Sequence, residues 1–513
     1  MVLLLAAAPA AAGERIEQLL QAMTLREKLG QLDLRSADLA RTGPELRSDY
    51  RSAVRQGIVG GLFNAYGAEF TRRLQEIAVH ETRLGIPLLF AFDVVHGHRT
   101  VFPIPLAEAA SFDVALAERT ARIAAIEATA EGVSWTFAPM LDVSRDPRWG
   151  RIAEGPGEDP WWGAQLAAAK VRGFQGSDLT APDTLAATAK HLGGYGAPEG
   201  GRDYNTAEVS ERTLREVYLP PFRAAVNAGV SAIMPAFNDI AGVPGTANRA
   251  LLDGVVRGDW GFGGVIVSDY HAVPELVVHG VAADPAEAAT LALSAGVDVD
   301  MESDAFARGL PRALRSGRAK LAAVDAAVRR VLTLKERLGL FDDPFRYSNP
   351  TREAEVRRAA HRAEARDAAR RSIVLLKNAG GLLPIARDVG TIAVVGPLAD
   401  AAEEMLGPWA AAGDPEAAVS LLDGIRAAAS PTTRVLHAPG TAIAGGTRAG
   451  FDAALEAARE ADVVVLCLGE SAAMSGEGAS RASLTLPGRQ QELADAVIAT
   501  GKPVVVTLTG GRP

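Results

Sequence analysis

At 513 residues, 48% of them apolar and 22% charged, the chain is too long for one ordinary core and has the profile of a soluble globular enzyme with two domains or a barrel plus a second unit. Its 53 Lys and Arg against 62 Asp and Glu leave a formal charge of −9. With no basic stripe to replace the counterions of a nucleic-acid backbone, that class of partner is excluded. The single cysteine, Cys467, cannot form an intrachain disulfide, and its run ADVVVLCLG reads as buried core. The eight histidines show no HExxH and no Cys/His cluster, and His96 with His98 is too weak a pair for a metal site. No metal and no organic cofactor is therefore expected.

Residues 1–13, MVLLLAAAPAAAG, read as the remnant of a secretory signal: a short apolar stretch, then small residues, without the basic segment that should precede it. The expected location is periplasmic or secreted. No later apolar run reaches the roughly 18 to 20 residues of a membrane helix, so membrane insertion is not expected. From 14 to 340, short apolar runs alternate with segments of helical period. The runs are 57–65, 87–95, 135–143, 185–193, 230–238, 263–270 and 296–302. Between them lie amphipathic stretches such as ALAERTARIAAIEATAEG and SERTLREVYLPPFRAAVNAG. One helix is marked at both ends, with Asp284 as cap, Pro285 at its first position, Glu287 at capping-box spacing and Gly296 closing it. The alternation predicts a (β/α) barrel of TIM type, with seven clear strands and an eighth either hidden or absent. A doubly wound open sheet is the rival, but no GxGxxG follows the first strand.

Residues 341–362 lose the pattern, carry Pro, Asn and Ser, and read as a linker. A second α/β unit, an αβα sandwich, is expected over 363–513, with strands at 391–397, 433–439, 461–470 and 502–510. The chain stops three residues after the last of these, without a covering helix, so this unit is expected to be incomplete.

In a barrel of this kind chemistry sits at the C-terminal ends of the strands. The rule selects Asp93, Asp142, Lys190 with His191, Asn238, Asp269, and Asp300 or Glu302. So many carboxylates suit acid–base or glycosyl chemistry better than hydride or phosphoryl transfer, and no phosphate-cradling loop is present. Taken singly, each Asp serves as readily to cap a helix or order a turn. Position and composition do not choose a nucleophile among them.

Six segments carry a resemblance that does choose: FDVVHGHRTVFPIPL (92–106), RDPRWGRIAEGPGEDP (145–160), KHLGGYGAPEGGRDYN (190–205), GGVIVSDY (263–270), SIVLLKN (372–378) and SGEGASRASLTLPGRQ (475–490). In this order they resemble glycoside hydrolase family 3, in its two-domain β-glucosidase branch. The resemblance implies Asp269 as nucleophile, Asp93 as the carboxylate gripping sugar hydroxyls, and Arg151, Lys190 and His191 as a polar clamp. It implies that Met234 lies in the segment lining this pocket, where Phe237 stands at a position the family often gives to tyrosine. The acid/base varies within the family. Glu477, flanked by Gly476 and Gly478 in a loop able to cross a cleft, is the first choice, and Glu470 is the rival.

The implied activity is that of a retaining, exo-acting β-glucosidase on a β-linked oligosaccharide or glucoside. A retaining enzyme of this kind needs two carboxyl groups about 5 to 5.5 Å apart. Arg151 and Lys190 are expected to keep the Asp269 carboxylate charged. The alternatives are a β-xylosidase or arabinofuranosidase of the same family, and a carbohydrate-binding paralogue impaired in turnover. The N-acetylhexosaminidase branch is disfavoured, because the loop GGYGAPEGGRDYNTAEVS has no histidine after His191.

Overall fold

The computed structural model describes residues 12–40, 43–45, 50–356 and 359–513. Of the expected signal remnant only residues 12 and 13 fall among these, and they open the helix Ala12–Ala22. The repeated strand–helix pattern resolves into eight short parallel strands that close on themselves. They are β1 (Asp33–Ser36), β2 (Gly61–Phe63), β3 (Leu89–Phe92), β4 (Trp135–Thr136), β5 (Thr188–Leu192), β6 (Ala232–Pro235), β7 (Val265–Ile266) and β8 (Asp300–Met301). Parallel ladders join β1 to β2, β2 to β3, β3 to β4, β5 to β6, β6 to β7, and β8 back to β1. Single parallel bridges, Trp135 to Ala186 and Val267 to Val299, close the two remaining seams.

The strand that hydropathy did not reveal is the first, DLRS. Its Asp33 is buried, and Arg35 Nε donates to Asp33 Oδ2 over 2.8 Å, so two charges are neutralised locally in a four-residue strand. Only Leu34 reads as core, and its Cα pairs with Gly61 on one side and Met301 on the other. Gly61 is needed there, because a Cβ would stand 2.9 Å from the Leu89 carbonyl oxygen and 3.0 Å from Leu34.

The helix Pro285–Ala295 is capped much as its ends predict. Asp284 Oδ1 accepts from the backbone N–H groups of Ala286 and Glu287, both at 2.9 Å, and Gly296 takes the left-handed backbone, φ 114°. The reciprocal bond differs, since Glu287 Oε2 accepts from Ala283 N–H rather than from Asp284. The stretch SERTLREVYLPPFRAAVNAG breaks into Glu211–Thr213, a wide turn at Leu214–Tyr218, and Pro220–Asn227. Pro220 and Pro221 supply no N–H to continue the earlier turns. The 341–362 segment is not irregular throughout, for the helices Pro350–Val356 and Ala359–Ser372 cross it. Polar contacts to the barrel hold them: Arg352 Nη2 donates to Thr129 Oγ1 (2.7 Å), Glu353 Oε2 accepts from Ala68 N–H (3.0 Å), and His361 Nδ1 lies 2.8 Å from Glu127 Oε1.

The second unit is a parallel sheet of β9 (Thr391–Val395), β10 (Arg434–Ala438), β11 (Val463–Gly469) and β12 (Val504–Thr509), in spatial order 10-9-11-12. Alternate residues face opposite ways. Ala393, Val395, Val464 and Leu466 pack under the helices Phe451–Glu460 and Gln490–Ile498. Ile392, Val394, Val465 and Cys467 pack with Leu422 of the helix Leu421–Ala428 on the other face. Cys467 is buried there as core. Among the described residues no helix is long and apolar enough to cross a membrane, and no group of three His, Cys, Asp or Glu could hold a metal ion.

Asp298 locks the β7–β8 seam of the barrel. Its carboxylate accepts from Ile266 N–H (2.8 Å), Arg257 Nη2 (2.7 Å) and Arg330 Nε (2.8 Å). Removing one partner from a buried ion cluster strands the others, so Asp298→Ala is expected to cost about 3 to 5 kcal/mol of barrel stability. Calorimetric melting of the variant beside the wild type checks this, as a lowered midpoint.

Candidate active site

The barrel strands bring five of the seven site residues expected from the sequence to one mouth, and two loops deliver the others. Lys190 and His191 lie on β5, and Met234 lies on β6 with its Cα in register with that of Lys190. Asp93 follows β3, and Asp269 stands three residues beyond the end of β7. Arg151 comes from a short 3₁₀ turn, Gly150–Glu154, after β4. Glu477 arrives from the second unit, on the loop after β11.

The polar groups among them pair as follows. Lys190 Nζ donates to Asp93 Oδ1 over 2.6 Å. His191 presents its backbone N–H (3.0 Å) and Nδ1 (2.8 Å) to Asp142 Oδ2, and because an arginine can only donate, Arg151 at Nε2 places the ring proton on Nδ1. Arg151 Nη2 donates to that Nε2 over 3.1 Å, and Arg151 also grips Glu154 through two bonds of 2.9 and 3.0 Å. The same guanidinium places Nη1 3.4 Å from Glu477 Oε1. Asp269 Oδ1 accepts from Tyr270 N–H (2.7 Å), while Oδ2 is buried without a hydrogen-bond donor and lies 3.5 Å from His191 Nε2. The absent bond follows from the tautomer, since Nε2 carries no proton to give.

Burial dominates the electrostatics. It pushes the Asp269 carboxyl up to about 7, against the pull of Arg151, Lys190 and the Tyr270 N–H. The expectation that Arg151 and Lys190 would keep Asp269 charged is thus corrected: they oppose the shift, but desolvation outweighs them. Burial also lifts Asp142 to about 8 and, with Arg151 and Lys190 nearby, holds His191 well below the usual imidazole range. Desolvation works against the Arg151 charge too, yet Glu154, Tyr195 and Glu477 around it keep its pKa well above the ordinary value.

The remaining candidates have partners of their own. Asp300 accepts from Phe306 N–H (3.0 Å) and Ser303 Oγ, ordering the start of the helix Ala305–Arg315, and Glu302 accepts from Ser36 N–H on β1. Asn238 is buried and its Nδ2 donates to its neighbour's carbonyl, at Asp239 (3.3 Å). Glu470 is engaged inside its own unit by Arg481, Arg512 (3.0 Å) and Ser475 (3.4 Å). Three participants carried no sequence signal strong enough to select them. Glu154 is a lone acid three residues after Arg151. Trp409 sits in a patternless Gly/Ala-rich stretch, yet its ring lies 5.9 Å from the Arg151 guanidinium and 5.4 Å from Lys190 Nζ. Tyr204 donates its hydroxyl to Glu477 Oε1 over 2.7 Å.

Residues 24–334 match the glycosyl hydrolase family 3 N-terminal domain, and residues 373–513 match the C-terminal domain of the same family. The chain belongs to glycosyl hydrolase family 3. It is 41% identical to a periplasmic β-glucosidase of Salmonella typhimurium over 98% of its own length and 68% of that protein's. It is 38% identical to a β-xylosidase of Formosa agariphila over 84% of this chain and 63% of that one. A crystal structure of a β-glucosidase from Listeria innocua in complex with glucose superposes with a TM-score of 0.92 at 38% identity, covering 98% of this chain and 70% of that one. The family 3 chain thus spans about two thirds of the length of these proteins, and it shares their barrel followed by an α/β unit.

The two units meet along a tight seam beside Arg151. Gly476 N–H donates to Gly150 O (2.8 Å), and Arg481 N–H donates to Arg148 O (2.9 Å). A Cβ on Gly150 would run into the Gly476 carbonyl oxygen and stand 2.7 Å from that of Ala479. Gly150→Ala is therefore expected to cost about 1 to 3 kcal/mol at this seam, as overpacking does. Faster amide hydrogen exchange over 475–481, with exchange in the barrel strands unchanged, is the expected reading.

Proposed function

We propose that this family 3 chain is a retaining, exo-acting β-glucosidase that removes terminal non-reducing β-D-glucosyl residues by double displacement. The observation that carries the reading is that Glu477 of the second unit lies against the buried Arg151 guanidinium, which also donates to His191, the imidazole beside Asp269 in the barrel mouth. Asp269 and Glu477 supply both groups the chemistry needs. Asp269 attacks the anomeric carbon as Glu477 delivers a proton to the departing glycosidic oxygen, leaving a glycosyl ester on Asp269. Glu477 then takes a proton from water, whose oxygen attacks the same carbon and frees Asp269. Asp93, Arg151, Lys190 and His191 are the groups proposed to hold the sugar hydroxyls, with Met234 on the pocket wall.

Glu477 is preferred over Glu470 as acid/base because Glu470 is already held by two arginines, whereas Glu477 faces the barrel. The domains are assigned as a catalytic barrel over 14–340, a connector over 341–362 and a sheet unit over 363–513. The identity to a protein named periplasmic supports a periplasmic or secreted location. The β-xylosidase likeness supports a second reading, that of a pentosidase. The ratio of kcat/KM on nitrophenyl β-glucoside to that on the β-xyloside separates the two, and turnover of neither would leave only a binding paralogue.

Three outcomes are expected. A 2-fluoroglucoside should trap the ester on the wild type, and peptide mapping should find the label on Asp269. Mapping to another carboxylate overturns the assignment. Because attack needs the ionised carboxylate and burial sets its pKa at about 7, kcat/KM should fall below that pH, about tenfold per unit once Asp269 is mostly protonated. A pH–rate profile on an aryl glucoside reads that acid limb directly. Glu477→Ala should lose about 10²- to 10⁴-fold on alkyl glucosides and cellobiose while sparing the first step on dinitrophenyl glucoside, since good leaving groups depart without a proton.

A further inference from the structure

Glu477 stands between two glycines on a loop that Arg512 of its own unit holds on either side, through the carbonyl oxygens of Met474 and Ala479. The glycines on either side both take the left-handed backbone, Gly476 at φ 94° and Gly478 at φ 68°, and the Glu477 side chain is 30% exposed. What aims this carboxyl lies on the opposite unit, in the barrel loop 199–206. Asp203 fastens the Glu477 loop at two points: its Oδ2 accepts from Gly478 N–H (2.8 Å), and its own N–H donates to Ser480 Oγ (2.9 Å). The other oxygen, Oδ1, accepts from Trp149 Nε1 (2.7 Å), so the fastening is anchored in the barrel beside Arg151. Tyr204, next in the chain, takes a left-handed backbone, φ 65°, that a non-glycine residue rarely adopts, and places its hydroxyl 2.7 Å from Glu477 Oε1.

We infer that Asp203 and Tyr204 are positioning residues that set the reach and orientation of the Glu477 carboxyl across the domain seam. The inference rests on the reading of Glu477 as acid/base and adds to it which oxygen carries the proton. Tyr204 Oη and Arg151 Nη1 both address Oε1, at 2.7 and 3.4 Å. Burial and the neighbouring Glu477 carboxyl raise the Tyr204 pKa, so its phenol keeps its proton and acts as a donor. With Oε1 accepting, the proton for the leaving oxygen sits on Oε2. A carboxyl turned about its side-chain axis would offer the wrong oxygen or miss the glycosidic atom, and misplacement of a reacting group by about 1 Å can cost about 10²-fold.

The role predicts a kinetic signature that a merely structural contact would not give. Tyr204→Phe keeps the ring, which packs edge-on at 5.3 Å from Phe237, and removes only the hydroxyl. On a series of aryl and alkyl β-glucosides the variant should lose about tenfold in kcat/KM on poor leaving groups, the upper end of what one neutral hydrogen bond contributes, and almost nothing on dinitrophenyl glucoside. Asp203→Ala should show the same selectivity with a larger loss. Adding Tyr204→Phe to Glu477→Gln should change nothing further, because the group it positions is already gone. Thermal melts confirm that each variant is folded. If Glu477→Gln alone shows the leaving-group selectivity while Tyr204→Phe is flat across the series, or slows all substrates equally, the inference is overturned and the acid/base reading stands. If Glu477→Gln itself shows no selectivity, the acid/base reading falls and the inference falls with it.

Discussion

The Arg151 guanidinium is the charge around which the rest of the site is arranged. Its side chain is 2% exposed, and a cation so far from water is tolerated only when nearly every N–H finds a partner. Glu154 takes the bidentate share, His191 accepts with its lone pair, Glu477 lies against Nη1, and the Tyr195 ring lies 5.4 Å from the guanidinium carbon. Each partner belongs to a different segment of the fold. The turn Gly150–Glu154 supplies the neutralising acid, β5 the imidazole, and the second unit the Glu477 carboxyl. The guanidinium therefore needs the barrel and the sheet unit in register at once, and it explains why backbone bonds of the seam run through Arg148 and Gly150 on either side of it.

A second consequence is the protonation order inside the mouth. The same desolvation that makes Arg151 dependent on its partners raises Asp142 and Asp269 and lowers His191, so the neutral imidazole stands between two carboxyl groups that titrate near neutrality. With Arg151 donating to Nε2, the ring proton lies on Nδ1 toward Asp142, and Nε2 has none to give Asp269. Asp269 Oδ2 is thereby left without a donor.

The barrel and the sheet unit contribute differently. The barrel fixes its polar groups on strands whose neighbours are packed on both sides, which gives Lys190, His191 and Met234 little freedom. The sheet unit contributes from loops: Glu477 after β11, and Trp409 with its left-handed backbone at φ 59°. His96 ties the Trp409 segment down, its Nε2 lying 2.7 Å from the Pro408 carbonyl oxygen and its Nδ1 2.8 Å from that of Phe102. Variation of these loops can reshape the mouth without touching the strands that hold Lys190, His191 and Met234.

Local pattern alone determined a good deal of this. Alternating apolar runs and helical segments specify seven of the eight barrel strands, because a parallel strand buried on both faces must be apolar almost throughout. The same rule marks the four strands of the second sheet, and the strand-end rule names Asp93, Lys190, His191 and Asp269 without any structure. The short motifs around Arg151 and Glu477 completed the set through their resemblance to a family. What escaped the sequence shares one physical cause, which is dependence on a partner distant in the chain. Strand β1 hides its acid behind Arg35, so it looks like a polar turn until its ladder to β8, nearly 270 residues later, is formed. The flanking glycines favour Glu477 over Glu470 in the sequence, but the contacts that distinguish them, Arg481 and Arg512 on Glu470 and Tyr204 and Arg151 on Glu477, exist only in the folded chain. The ionisation of Asp269 has the same dependence: its positive neighbours can be read from motifs, but the burial that opposes them exists only once the chain has packed.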